Sequence, residues 1–109
     1  MAFAHRLAGR MEKRLPIAIV VRLGRVQDLP VNGEELTYTD NVSVHGARVV
    51  SASAWQPGEV AQITSLKDEI PIRGKVVYCE KLGENRFIIG LNFQEHRLTW
   101  STFRAYSGA

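Results

Sequence analysis

The sequence predicts an all-β domain, a small six-stranded antiparallel barrel with a flexible basic N-terminal arm and a short C-terminal helix. Short runs rich in β-branched residues alternate apolar and polar positions along most of the chain, and Gly, Pro and Asn punctuate them at turn spacing. The 109 residues leave room for one core and no second domain, and they contain no repeat, low-complexity tract or linker. For so small a sheet, closure into a barrel leaves no unpaired edge to cover.

Residues 1–14 form the arm. Its apolar members, Phe3, Leu7 and Met11, are sparse among charges, which suits a mobile or loosely helical segment. Residues 15–109 form the barrel domain with its helix. Pro16 breaks the pattern, and in the run that follows Ile17, Ile19, Val21 and Leu23 alternate to one face, so the first strand is expected there. A loop from Gly24 to Gly33, closed by Asn32-Gly33, leads to a second strand from Glu35 to Asp40. Ala47–Val50 is the third strand, Pro57-Gly58 fits a tight turn, and Glu59–Thr64 is the fourth. Ile70–Lys81 is a longer strand with Val76 and Tyr78 on one face. Gly83-Glu84-Asn85 turns it into Arg86–Gln94, where Phe87, Ile89, Leu91 and Phe93 alternate, and the two strands make a hairpin. Trp100, Phe103 and Tyr106 recur three apart and predict a short helix with one apolar face. Trp55 and Trp100 are expected to pack inside.

The chain has 14 Lys and Arg against 11 Asp and Glu, a net charge of +3. The excess is local: residues 1–14 hold Arg6, Arg10, Lys13 and Arg14 against Glu12 alone, and the remainder is balanced. With 45% hydrophobic and 23% charged residues the composition is that of a folded domain, and no apolar run approaches the roughly 20 residues of a membrane span. The basic start has no apolar stretch behind it, so a secretory signal is not expected and a cytoplasmic location is. The lone Cys79 lies in an apolar run and reads as a packed, reduced thiol. His5, His45 and His96 stand far apart with no second ligand at metal spacing, so no metal site or cofactor is expected. Ser43 and His45 have no third group to make a triad, and the carboxylate pairs Glu34-Glu35 and Asp68-Glu69 fall in turn-like segments. The chain does not read as an enzyme.

Two segments carry a binding signal. Arg10-Met11-Glu12-Lys13-Arg14 sets two arginines four apart just before the first strand, and Asn41-Val42-Ser43-Val44-His45-Gly46 lies between the second and third. These motifs resemble the RxxxR and [D/N]xSxxG patterns of the PilZ family, bacterial receptors for cyclic di-GMP. Gly90-Leu91-Asn92-Phe93 is similar to the family's closing strand, so the resemblance runs from about Arg10 to Phe93. Arg6 and Arg10 are also four apart, but Arg14 lies nearest the first strand, which favours Arg10 and Arg14 as the pair.

The resemblance implies Arg10, Arg14, Asn41, Ser43 and Gly46 as ligand-binding residues, with Arg6, His45 and Arg48 as further candidates. His45 reads by itself as a partly exposed turn residue. The chemistry suits the ligand, which carries two phosphate charges and two guanines. A guanidinium forks onto the guanine O6/N7 edge, covers a base face or neutralises phosphate. Asn41 would address the guanine N–H donors through one neutral oxygen, so affinity is expected below that of an Asp-bearing relative. Ser43 would meet phosphate or the guanine amino group, and Gly46 would let the backbone turn closely beneath the ligand. On this reading the arm changes conformation on binding and signals to a downstream protein, with no membrane insertion and no polymeric nucleic acid. The alternatives are a PilZ-like adaptor without ligand binding, or a basic-armed barrel for single-stranded nucleic acid in which Tyr38, Trp55 or Phe87 stack bases. A balanced body argues against the last, because an oligonucleotide groove spreads positive charge along the fold.

Overall fold

A computed structural model describes residues 13–28 and 33–107. Most of the arm, including Arg6 and Arg10, lies outside the described residues. The strands are β1 (Val20–Arg25), β2 (Glu35–Ser43), β3 (Gly46–Ser51), β4 (Val60–Ser65), β5 (Pro71–Gly83) and β6 (Arg86–Asn92), followed by helix α1 (Ser101–Ser107). They close into a barrel in the order β1-β2-β3-β6-β5-β4, and β1 completes the ring by pairing with β4. Every pairing is antiparallel. The expected six strands and terminal helix are all present, and the expected β5–β6 hairpin turns at Glu84-Asn85 with Asn85 in the left-handed region, which Asn tolerates. Among the described residues no helix is long and apolar enough to cross a membrane.

Inward-facing Val21, Leu23, Val42, Val49, Ile63, Val76, Ile89 and Leu91 fill the barrel, and Phe93, Leu98, Trp100 and Phe103 extend the same cluster. Trp55 and Trp100 are both buried, as their size predicts, and each indole N–H finds an acceptor: Ser51 Oγ at 2.9 Å and the Ile70 carbonyl at 2.7 Å. Arg25 covers the Trp55 ring at 4.0 Å and pairs with Glu59, fixing the loop that precedes β4. Cys79 is only half-buried, packed against the core's edge.

β2 runs on to Ser43, so Asn41 and Ser43 lie within it rather than between strands, and three further details depart from the sequence expectation. The first strand begins at Val20 rather than Ile17, because Thr39 takes over the pairing there: its hydroxyl accepts the Ile19 N–H and donates to the Ile17 carbonyl. Val76 and Tyr78 lie on opposite faces rather than one, because the β5–β6 register shifts between them; one extra residue, Val77, reverses the alternation. Trp100 precedes the helix and Tyr106 is exposed, so only Phe103 buries from α1.

The short helix is held from outside. Asp68, in the β4–β5 loop, accepts the Ser101 N–H at 2.6 Å and the Ser101 hydroxyl at 2.8 Å, capping the helix start. The Ser101 hydroxyl and then its N–H hold the Asp68 carboxyl below its ordinary value of 3.8. A depressed carboxylate stabilises the fold above its unfolded pKa, and that contribution is lost as pH falls through the folded value. Asp68→Asn is therefore expected to lower the thermal midpoint at neutral pH and to make its decline below pH 3.8 shallower than in the parent chain, as read by circular dichroism. Parallel declines would place the acid sensitivity on other carboxylates, such as Glu59 or Glu69.

Candidate functional site

The site begins with how the arm joins the barrel. Leu15 is buried and makes an antiparallel bridge with Val42, its N–H reaching the Val42 carbonyl at 2.8 Å and its carbonyl accepting the Val42 N–H at 3.0 Å. An inward Leu15 leaves Arg14 beside the outward residues that flank Val42, namely Asn41 and Ser43. Arg14 Nη1 accordingly donates to Asn41 Oδ1 at 2.8 Å.

Asn41 faces outward because of a second bulge. The β2–β3 register shifts between Thr39 and Asn41, so Thr39 points to the core and Asn41, two residues on, points away from it. Asn41 opposes Arg48, Arg48 opposes Gly90, and Gly90 opposes Tyr78, one continuous row across β2, β3, β6 and β5. The neighbouring row runs Ser43, Gly46, Asn92, Lys75 on the same four strands. Both bulges fall at the first of these rows, and both turn a polar side chain outward.

The floor is shaped by the two glycines. A Cβ on Gly46 would stand 2.7 Å from the Leu91 carbonyl oxygen, 3.7 Å from Ser43 Oγ and 3.9 Å from Arg14 Nη2, so this position has no room for a side chain. A Cβ on Gly90 would run into the Tyr78 ring, which lies across it. Ser43 is buried, and its hydroxyl donates to the Gly46 carbonyl at 3.4 Å. Arg48 Nε stands 3.4 Å from Asp40 Oδ1, the residue at the bulge, and makes no hydrogen bond there although that atom is buried. His45 sits in the β2–β3 turn, half-buried, with its carbonyl accepting the Phe93 N–H at 2.8 Å.

The structure thus brings Arg14, Asn41, Ser43 and Gly46 together and sets Arg48 beside them. Arg6 and Arg10 lie outside the described residues, and nothing in the described barrel distinguishes the two RxxxR readings. Leu15 and Tyr78 were missed in the sequence. Leu15 carried a signal, an isolated Leu beside Pro16 between the arginine motif and the first strand. Tyr78 carried none, because its facing depends on the bulge at Val77.

The described residues thus form a closed barrel that bears an arginine-fronted polar patch on its outer wall. The PilZ domain family's sequence profile matches residues 5–105, and the chain belongs to that family. No curated protein matches it in sequence. A solved structure of the Bacillus subtilis inhibitor of motility (MotI/DgrA) superposes with a TM-score of 0.58 at 19% identity. The alignment covers 89% of this chain and 46% of that one, so this chain spans about half the length of the Bacillus protein. At that identity the likeness is one of fold.

Two substitutions test this geometry. Leu15→Ala is expected to cost about 2–3 kcal/mol in urea denaturation, as for other buried Leu truncations, and to shift the Asn41 side-chain amide resonances as Arg14 leaves. Gly90→Ala is expected to cost about 1–3 kcal/mol by overpacking against Tyr78, and much less in a Tyr78→Ala background. Additive losses in that pair would mean that the ring does not set the cost.

Proposed function

We propose that this chain is a non-enzymatic cyclic di-GMP receptor whose arm changes position on binding and so alters the surface offered to a partner protein. The observation that carries the reading is the 2.8 Å hydrogen bond from Arg14 to Asn41, beside Ser43 and a Gly46 that has no room for a side chain. Family membership supports the same ligand.

Arg14 donates to the Asn41 oxygen that would take guanine N–H donors, and its guanidinium lies close to Ser43 and Gly46. Binding then proceeds by exchange. Arg14 gives up Asn41 Oδ1, a contact of about 1 kcal/mol at an exposed position, and turns its fork to the O6/N7 edge of a guanine or to phosphate. Asn41 is left to accept from the base. A bidentate guanine contact contributes about 1–3 kcal/mol, against roughly 2–5 kcal/mol for ordering a segment. Two arginines acting together are therefore needed, and Arg10 is the second on the RxxxR reading. Arg48 stands in the same row as Asn41, paired with Asp40, and is a further cation for a phosphate.

Calorimetric titration with cyclic di-GMP at modest salt is expected to give saturable heat and an upward thermal shift. Arg14→Ala abolishes both, whereas Arg6→Ala leaves them nearly unchanged. Absence of heat and shift in the parent chain overturns the reading in favour of a ligand-independent adaptor. Equal loss in the two variants overturns the assignment of Arg10 and Arg14 as the pair, and loss with Arg6→Ala alone makes the pair Arg6 and Arg10.

A further inference from the structure

A groove of about 470 Å³ lies away from the arginine patch, between the start of β5 and the extended segment that leads into α1. Ile70, Pro71 and Ile72 supply its accessible apolar surface over the buried Leu98 and Trp100, and Arg73 and Arg97 stand exposed along it. Its size falls within the usual range for ligand pockets. The walls are tied to each other: the Trp100 indole N–H donates to the Ile70 carbonyl at 2.7 Å, so the groove exists before anything enters it. Arg73 is held outward by its Nε donating to Gln62 Oε1 at 3.0 Å.

Its charge is one-sided. Among the described residues no Asp or Glu lines the groove, while two arginines and His96 do. Of the acidic side chains next to the lining, Asp68 is held by Ser101 and Glu69 by Arg22, which leaves Glu95, exposed beside His96, as the one without such a bond among them. Ile70 is 42% exposed, a large aliphatic side chain left in water at the groove's edge. An apolar channel flanked by cations complements a chain segment that carries bulky apolar side chains among carboxylates.

The groove is also joined to the candidate site by hydrogen bonds. The Val44 carbonyl accepts the Leu98 N–H at 2.8 Å and the His45 carbonyl accepts the Phe93 N–H at 2.8 Å. Val44 and His45 are the turn between Ser43 and Gly46, so the strip that forms one wall of the groove hangs on the same turn that carries the binding motif.

We propose that this groove docks an acidic, apolar-anchored segment of a partner protein. That the partner is the downstream protein of a cyclic di-GMP receptor rests on the function proposed above; the docking itself does not.

The test is amide-shift mapping on the full ligand-free chain with three capped hexapeptides: Glu-Asp-Leu-Phe-Asp-Glu, the same peptide with every acid replaced by Lys, and the acidic peptide with Ser-Gly in place of Leu-Phe. The first is expected to give saturable shifts at 70–73 and 96–100, and the other two none. The Arg73→Ala/Arg97→Ala double variant, at exposed positions, is expected to weaken the first peptide about tenfold while leaving the cyclic di-GMP titration as in the parent. No saturable shift with the first peptide, or equal binding of the Lys peptide, overturns the proposal. So does retention on phosphatidylglycerol vesicles that those two substitutions abolish without any peptide binding, which would make the groove a lipid-surface contact. Because the peptides are titrated without nucleotide, failure of cyclic di-GMP binding and failure of docking are read separately.

Discussion

The antiparallel bridge between Leu15 and Val42 is the contact on which the candidate site depends. Without it the arginine motif would be joined to the barrel only through a Pro-interrupted connection, with no fixed register against Asn41 and Ser43. Burial of one leucine and two backbone hydrogen bonds convert a basic tail into a positioned arginine. The polarity of the bridge matters as much as its strength. Strand alternation puts Arg14 on the opposite face from Leu15, so anchoring the leucine inward is the same event as presenting the arginine outward.

The two bulges serve that presentation from the barrel side. A strand without a bulge would put Thr39 and Asn41 on one face, and either a polar amide would enter the core or a buried threonine would leave it. The shift at Asp40 lets Thr39 stay inside, where its hydroxyl bridges the Ile17 and Ile19 backbone, while Asn41 turns to Arg14. On β5 the shift at Val77 does the same for Val76 and Tyr78. Two irregularities three strands apart thus build one row, and the glycine between them, Gly90, is the position over which the tyrosine ring can lie flat against the sheet.

Much of this was legible in the sequence, and the boundary between legible and hidden is physical. Alternation in Ile17–Leu23 and Phe87–Phe93 reports facing directly, because a regular strand has a period of two, and so the six strands and the closing hairpin could be read. The motif residues Asn41, Ser43 and Gly46 could be read as a group because they are local. What could not be read is whatever breaks the period. The reversal between Val76 and Tyr78 leaves no compositional trace, and the displaced start of β1 arises from Thr39, some twenty residues away in sequence. The helix was misjudged for a related reason: Trp100 and Phe103 do share a core, but the capping carboxylate of Asp68 starts the helix after Trp100, and no local pattern marks a cap supplied by a distant loop.

The distribution of charge in the folded barrel sharpens the case for a compact anion as ligand. Sequence arithmetic makes the body neutral only on average, which would still allow a continuous basic groove on one side and an acidic surface on the other. The structure instead neutralises several body arginines one by one: Arg22 lies between Glu34 and Glu69, Arg25 meets Glu59, and Arg48 faces Asp40. These pairs lie on β1 and β3, the strands that flank β2, so a polyanion tracking that side of the wall would have to break them in succession and leave carboxylates facing phosphates. On the proposed reading, a ligand with two phosphates need engage only the arm's arginines and one paired neighbour. On that same reading, the paired arginines of β1 and β3 oppose the extended backbone of a strand on that side, while the patch at Arg14 takes a compact dianion.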